Sequence, residues 1–220
     1  MSSSFLATEK GTVRKKWTGL LPVALIYPNT YSLAVSNLGH QLVYNLLNDF
    51  DDIVCERFVY PSANEPLRSL ESNRPLSDFP VVFGSVSFED DYPRLVALLA
   101  AGGVEPFAKD RSRNIKAGSP LVILGGVGVF MNPEPLAPFA DVMVIGEAEP
   151  VLPSLVAKIR DLFAKGNDRH DFLLDTGRSL PGCYVPSLYS FQFGEDGRVL
   201  SISPVPGLLD RVTKGVGVGL

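Results

Sequence analysis

Short apolar runs alternate with stretches of helical periodicity along most of this chain. Val23–Tyr27 is continuously apolar and closes on Pro28, the pattern of a strand buried on both faces. From Ser36 to Phe50 the apolar positions Leu38, Leu42, Val43, Leu46, Leu47 and Phe50 share one arc, which predicts a helix with Ser36 or Asn37 as its N-cap. Further strands are expected at Ile53–Tyr60, Pro80–Phe88, Leu121–Leu124 and Asp141–Ile145, and further helices at Tyr92–Ala101 and Pro150–Ala164. Strand and helix following one another at this pace demand parallel strands joined by right-handed crossovers. The expected fold is therefore α/β, a doubly wound five-stranded parallel sheet of flavodoxin-like or Rossmann-like type, with the first strand beside both the second and the third.

The character changes near residue 166. Asn167–Pro181 is polar and turn-rich and reads as a linker, after which Tyr184–Phe193 and Arg198–Ser203 flank the turn sequence Gly194–Gly197, a β-hairpin signal. Three segments result: a polar N-terminal tail over 1–17, an α/β domain over 18–165, and a linker with a C-terminal β-hairpin extension over 166–220. The ending KGVGVGL offers no closing helix and no cap, so the chain is expected to be the N-terminal piece of something longer.

In open α/β sheets a ligand lies outside the carboxyl ends of the strands. Those ends carry Asn29, Thr30 and Tyr31, leading to Ser36 and Asn37, after the first strand. Ser85 and Ser87 follow the third, the pair Gly125-Gly126 the fourth, and Gly146, Glu147 and Glu149 the fifth. Adjacent glycines let backbone approach a ligand and expose N–H groups, and a helix start near Ser36 favours anionic groups. The pair Gly125-Gly126 also has a plain reading as a tight turn.

Composition narrows the chemistry. The 220 residues are 45% hydrophobic, with a formal net charge of −4, and the isoelectric point near 5.2 argues against a nucleic-acid partner. Lys10, Arg14, Lys15 and Lys16 form the one dense basic cluster, expected to lie in a solvated tail. The apolar runs are too short to cross a bilayer, and Cys55 and Cys183 form neither a disulfide framework nor a metal knuckle. A cytoplasmic protein with reduced thiols, without a membrane or nucleic-acid partner, is the plain expectation. No phosphate-binding loop, dinucleotide fingerprint or hydrolase elbow is present. His40 reads as a partly buried structural histidine and His170 as solvated, while Asp51, Asp52, Asp90 and Asp91 read as solvated caps or loop charges. No catalytic residue and no metal-ligand set emerge.

Several segments, in order, resemble the N-terminal cobalamin-binding domain of a family of radical S-adenosylmethionine proteins. They are LPVALIYPNTY (Leu21–Tyr31), SNLGHQLVYNLLN (Ser36–Asn48), CERFVYP (Cys55–Pro61), RPLSDFPVV (Arg74–Val82), SVSFEDDYPRLVALLAAGGV (Ser85–Val104) and PLVILGGVGVFMNPEPLAPFADVMVIGEAE (Pro120–Glu149). The run NPEPLAPFAD followed by GEAE is the most specific of these. The resemblance implies a cobalamin on the carboxyl edge of the sheet, its nucleotide tail passing beside the glycine-rich strand ends. It also implies a downstream radical SAM barrel as partner in the same polypeptide, holding an iron–sulfur cluster and S-adenosylmethionine. The cluster motif CxxxCxxC of that barrel is absent here, and Leu208–Val212 resembles a lead-in to it.

One departure bears on the cobalt. Cobalamin domains of the mutase type carry DxHxxG after the first strand, whereas Asn37-Leu38-Gly39-His40 places the histidine after the glycine. A bound corrinoid should therefore have no protein histidine below its metal. Three readings stand: a cobalamin-binding module of a radical enzyme, a degenerate fold serving as scaffold or docking module for the barrel, and a free-standing regulator that binds a small nucleotide on the same edge.

Overall fold

The computed structural model describes residues 9–62, 65–208 and 212–216. Its elements in chain order are β1 (Leu21–Tyr27), α1 (Tyr31–Ser36), α2 (Leu38–Asn48), β2 (Ile53–Val59), β3 (Val81–Ser85), α3 (Asp91–Ala101), β4 (Leu121–Gly125), α4 (Val127–Met131), β5 (Val142–Val144), α5 (Leu152–Lys165), α6 (Arg169–Ser179), β6 (Cys183–Tyr184), β7 (Tyr189–Phe193) and β8 (Val199–Pro204), with four short 3-10 turns between them. The main sheet runs β2-β1-β3-β4-β5-β6. Its first five strands are parallel, with β1 between β2 and β3 as the apolar runs imply. Strand β6 adds an antiparallel edge against β5.

Alternation of side chains across the pleat divides the core in two. Val23, Leu25, Val81, Phe83, Leu121 and Ile123 face a layer formed with Tyr44 and Leu47 of α2 and with Leu155, Val156 and Ile159 of α5. Ala24, Ile26, Val82, Val122, Leu124 and Met143 face the other layer, against Leu95, Leu98 and Leu99 of α3. A strand covered on both sides must be apolar at every position, which is why β1, β3 and β4 carry unbroken apolar runs.

Strand β2 departs from that rule and stands at the sheet edge. Its Glu56 and Arg57 are buried. Asn48 accepts the Cys55 N–H and donates to the Cys55 carbonyl. Glu71 accepts the Arg57 N–H, and Leu70 N–H donates to the Arg57 carbonyl. The edge is thus occupied by the protein's own loop, leaving little backbone for another strand to pair with.

The polar stretch at the N-terminus is docked, not solvated, where it is described. Lys15 Nζ donates to the carbonyls of Asn48, Phe50 and Ile53 at 2.6, 2.8 and 2.9 Å. Trp17 Nε1 donates to Glu56 at 2.7 Å. Glu9 accepts two bonds from the Arg57 guanidinium at 2.5 and 3.1 Å, while Arg57 Nε donates to Glu71 at 2.7 Å. Lys10, Arg14 and Lys16 remain exposed. The composition signalled charge; the buried Arg57 and the open carbonyls at the end of α2 supplied partners for it.

The helix expected over Ser36–Phe50 forms as α2 with Asn37 (φ −88°, ψ 108°) as its N-cap, and the short α1 precedes it. Three more expectations change. The expected linker Asn167–Pro181 contains α6, capped by Asp168 and burying Arg169, Phe172, Leu173 and Thr176. Those positions fall at i, i+3, i+4 and i+7, a helical stripe obscured by the charges between them. Asp91, expected to be solvated, is buried. Its carboxylate accepts Asn29 Nδ2 at 2.8 Å and the Phe88 N–H at 3.1 Å, tying the exit of β1 to the start of α3. The hairpin forms from β7 and β8, whereas Tyr184 belongs to the main sheet. Of the stretch Leu208–Val212, residues 209–211 lie outside the described residues.

Candidate functional site

A cavity of about 570 Å³ opens at the carboxyl ends of the strands, between α2 and α5. Its floor is Leu25, Phe83, Ile123 and Val144 from four successive parallel strands. Leu25 pairs with Phe83 and Phe83 with Ile123 across the sheet, so three of the four stand in one register row, while Ile123 pairs with Val142 and leaves Val144 two residues farther along β5. Leu38, Leu42 and Val43 of α2 form one wall and Leu152 of α5 the other. The volume falls within the range of small-molecule sites, and an apolar floor with a few polar groups at the rim is their usual make-up.

Nine of the twelve strand-end residues singled out by the sequence meet there: Ser36, Asn37, Ser85, Ser87, Gly125, Gly126, Gly146, Glu147 and Glu149. Asn37 is largely committed within the fold, since its Oδ1 accepts the His40 N–H at 2.8 Å and its Nδ2 donates to Ser87 Oγ at 2.9 Å. That bond holds the start of α2 against the loop after β3.

The other three lie elsewhere. Asn29 spends its amide on Asp91 and on the Thr30 N–H. Thr30 and Tyr31 line a separate hollow beside Val59 and Tyr60 at the exit of β2. Tyr31 donates to Glu9 at 2.7 Å. With burial, that carboxylate beside it pushes the Tyr31 phenol up to about 12. Adjacency in sequence to a strand end suggested these residues; the chain leaves β1 beside the exit of β2, where Tyr60 N–H donates to the Asn29 carbonyl, before α1 begins.

The glycines divide by what surrounds them. A Cβ at Gly126 (φ +106°) would stand 2.4 Å from the Val86 carbonyl oxygen, and one at Gly146 (φ +112°) 2.4 Å from that of Gly215. At both positions the backbone conformation and a neighbouring chain require glycine. At Gly125 a Cβ would meet only Val144, at 3.7 Å, so space there is left toward the cavity and not claimed by the fold.

Sequence reasoning did not find the floor or Lys214. The floor residues look like ordinary core in a linear sequence. Lys214 stands beyond the hairpin, at the cavity lip, because Gly215 bridges back to β5's exit: its N–H donates to the Ile145 carbonyl at 2.9 Å and its carbonyl accepts the Glu147 N–H at 3.1 Å.

No histidine or cysteine lines the cavity among the described residues. His40 points away from it, fully buried, its ring edge-on to Tyr27 with centroids 5.2 Å apart. Neither ring nitrogen has a hydrogen-bond partner among the described residues. Burial, reinforced by the Arg57 charge, lowers its pKa to about 3. Below about pH 6.5 the unfolded chain takes up a proton that folded His40 refuses, so stability falls as pH drops from there toward 3. Urea denaturation of wild type should lose about 1 kcal/mol per pH unit between pH 6.5 and 5 relative to His40→Leu. Parallel pH profiles for the two proteins would contradict this account.

The cavity thus joins a rim that can hydrogen-bond to a floor that can only pack. Among the described residues no helix is long and apolar enough to cross a membrane. Residues 39–186 match the family model described as "Radical SAM proteins, N-terminal". The chain is also 27% identical over 127 residues to the uncharacterized protein MJ0966 of Methanocaldococcus jannaschii, a match covering 58% of this chain and 24% of that protein. It thus spans about a quarter of the length of that curated relative. No solved structure matches it.

Proposed function

Because the chain belongs to the radical SAM protein N-terminal family, we propose that it is a cofactor-holding module whose carboxyl-edge cavity receives the nucleotide tail of a cobalamin. The observation that carries this reading is the apolar floor beneath a polar mouth, at strand ends where Gly125 leaves space a side chain would fill. A flat heteroaromatic base stacks on such a floor without asking it for hydrogen bonds. The corrin, too large for about 570 Å³, would lie over the mouth, its amide groups toward Ser85, Ser87 and the carboxylates of Glu147 and Glu149. When bound, a corrinoid supplies a cobalt able to carry a methyl group or exchange electrons. What this chain contributes is orientation and exclusion of water from the buried end. His40 supports a cobalt without protein histidine, since its ring is buried on the side of α2 facing Tyr27 and Arg57.

The companion domain that would hold an iron–sulfur cluster and S-adenosylmethionine belongs to the same proposal, on the strength of the family. The rival reading is a scaffold that keeps the fold without the ligand. Titration with hydroxocobalamin, followed by visible absorbance and equilibrium dialysis, separates them. Wild type and His40→Leu should bind with the same spectrum, while Leu42→Trp, which fills the cavity from its wall, should weaken binding at least about tenfold. Absence of binding by wild type favours the scaffold, and undiminished binding by Leu42→Trp overturns the placement of the ligand in this cavity.

A further inference from the structure

Among the described residues lining the cavity, Lys214 is the one with a cationic side chain; the acidic ones, Glu147 and Glu149, follow β5. Its place is built. Gly215 is bonded on both sides to the β5 exit, through Ile145 and Glu147. The Lys214 stem passes over Gly146, where a Cβ would stand 3.0 Å from its Cγ. The ammonium sits 5.0 Å from the centroid of the Phe130 ring of α4, which also lines the cavity. An ammonium held by an aromatic face keeps its three donors available in a way that a carboxylate partner would not allow. The segment therefore sets one positive charge at a mouth whose other charged groups, among the described residues, are negative.

Resting on the corrinoid reading above, we propose that segment 212–216 is the closing wall of the cavity, and that Lys214 receives the phosphate ester of the ligand's nucleotide loop. The placement divides the rim by chemistry. Amide donors of the ligand face the glutamates, and its single anionic group faces the lysine, which fixes the direction in which the ligand enters. Lys214 is then a specificity residue that separates corrinoids carrying a phosphate from those lacking it.

Equilibrium dialysis of wild type, Lys214→Met and Lys214→Arg against hydroxocobalamin and against cobinamide, which lacks the phosphate and nucleotide, tests this. Wild type should prefer hydroxocobalamin. Lys214→Met should lose roughly tenfold toward it, as expected for one charge-assisted contact, and nothing toward cobinamide. Lys214→Arg should keep most of the preference, and added salt should weaken wild type more than Lys214→Met. Because Lys214 is exposed, an unchanged thermal melt will show that the variants fold. Equal loss toward both corrinoids, or none toward either, overturns the assignment while leaving the corrinoid reading in place. Should wild type take up neither, the corrinoid reading falls. Ribose 5-phosphate then decides on the lysine: amide shifts at Gly146 and Gly215 that vanish in Lys214→Met support it, and their absence overturns it.

Discussion

Replacing Asp141 with asparagine should lower stability by about 3–5 kcal/mol, the largest single loss expected in this protein. The Asp141 carboxylate is buried and receives Arg111 at 2.9 Å, Arg169 at 2.7 Å and the Val122 N–H at 2.7 Å. Both arginines are themselves buried, and each spends further donors on carbonyls: Arg111 on Glu105, Pro106 and Phe139, Arg169 on Ser112, Ser119 and Pro120. Carbonyls solvate these guanidiniums but do not neutralise them. Burial already lowers the pKa of Arg111 despite the carboxylate beside it. Asparagine keeps the shape and removes the charge, leaving two uncompensated cations in the interior. The same change detaches α6, which Arg169 anchors to the start of β5. Urea denaturation should show the loss, with Arg113→Ala as control, since the Arg113–Asp168 pair is exposed and should leave the midpoint unchanged. A drop below about 1 kcal/mol in Asp141→Asn would mean that the carboxylate is dispensable.

Gly126→Ala should cost about 3 kcal/mol or more, through two additive causes. The position has φ +106° and ψ 176°, a region essentially reserved for glycine. The new Cβ would meet the Val86 carbonyl oxygen at 2.4 Å and the Val86 nitrogen at 3.0 Å. Val86 cannot give way easily, because its N–H donates to Gly125 at 2.8 Å and its carbonyl accepts the Gly128 N–H at 3.0 Å. Gly125→Ala, one residue earlier, should stay within about 1 kcal/mol of wild type. Thermal and urea unfolding of the two variants make the comparison. Equal losses would show that the strain at Gly126 is relieved in a way the backbone bonds do not suggest. This contrast also decides how the cavity should be probed. A bulky residue at Gly126 would unsettle the fold before it met a ligand, whereas Gly125→Val narrows the cavity from a position the fold leaves open.

The strand order and the placement of most rim residues were legible in the sequence because each rests on local rules. An apolar run of Val23–Tyr27 must be covered on both faces, a parallel strand must be followed by a crossover, and glycines at strand exits mark tight passages. Asn37 as a cap needs only its own side chain and an N–H three residues on. Glu9 with Arg57, 48 residues apart, and Arg111 with Asp141, 30 apart, leave no such local trace. A charge reads as solvated until the fold delivers its partner. Asn29, Thr30 and Tyr31 were misplaced for the same reason, since closeness along the chain to a strand end does not fix which way the chain leaves it. Lys214 and the floor exist as a site only after segment 212–216 returns to β5 and four strands come side by side. Periodicity and capping act over a few residues and are written in the sequence, whereas long-range pairing of charges and convergence of loops depend on the finished packing of the sheet.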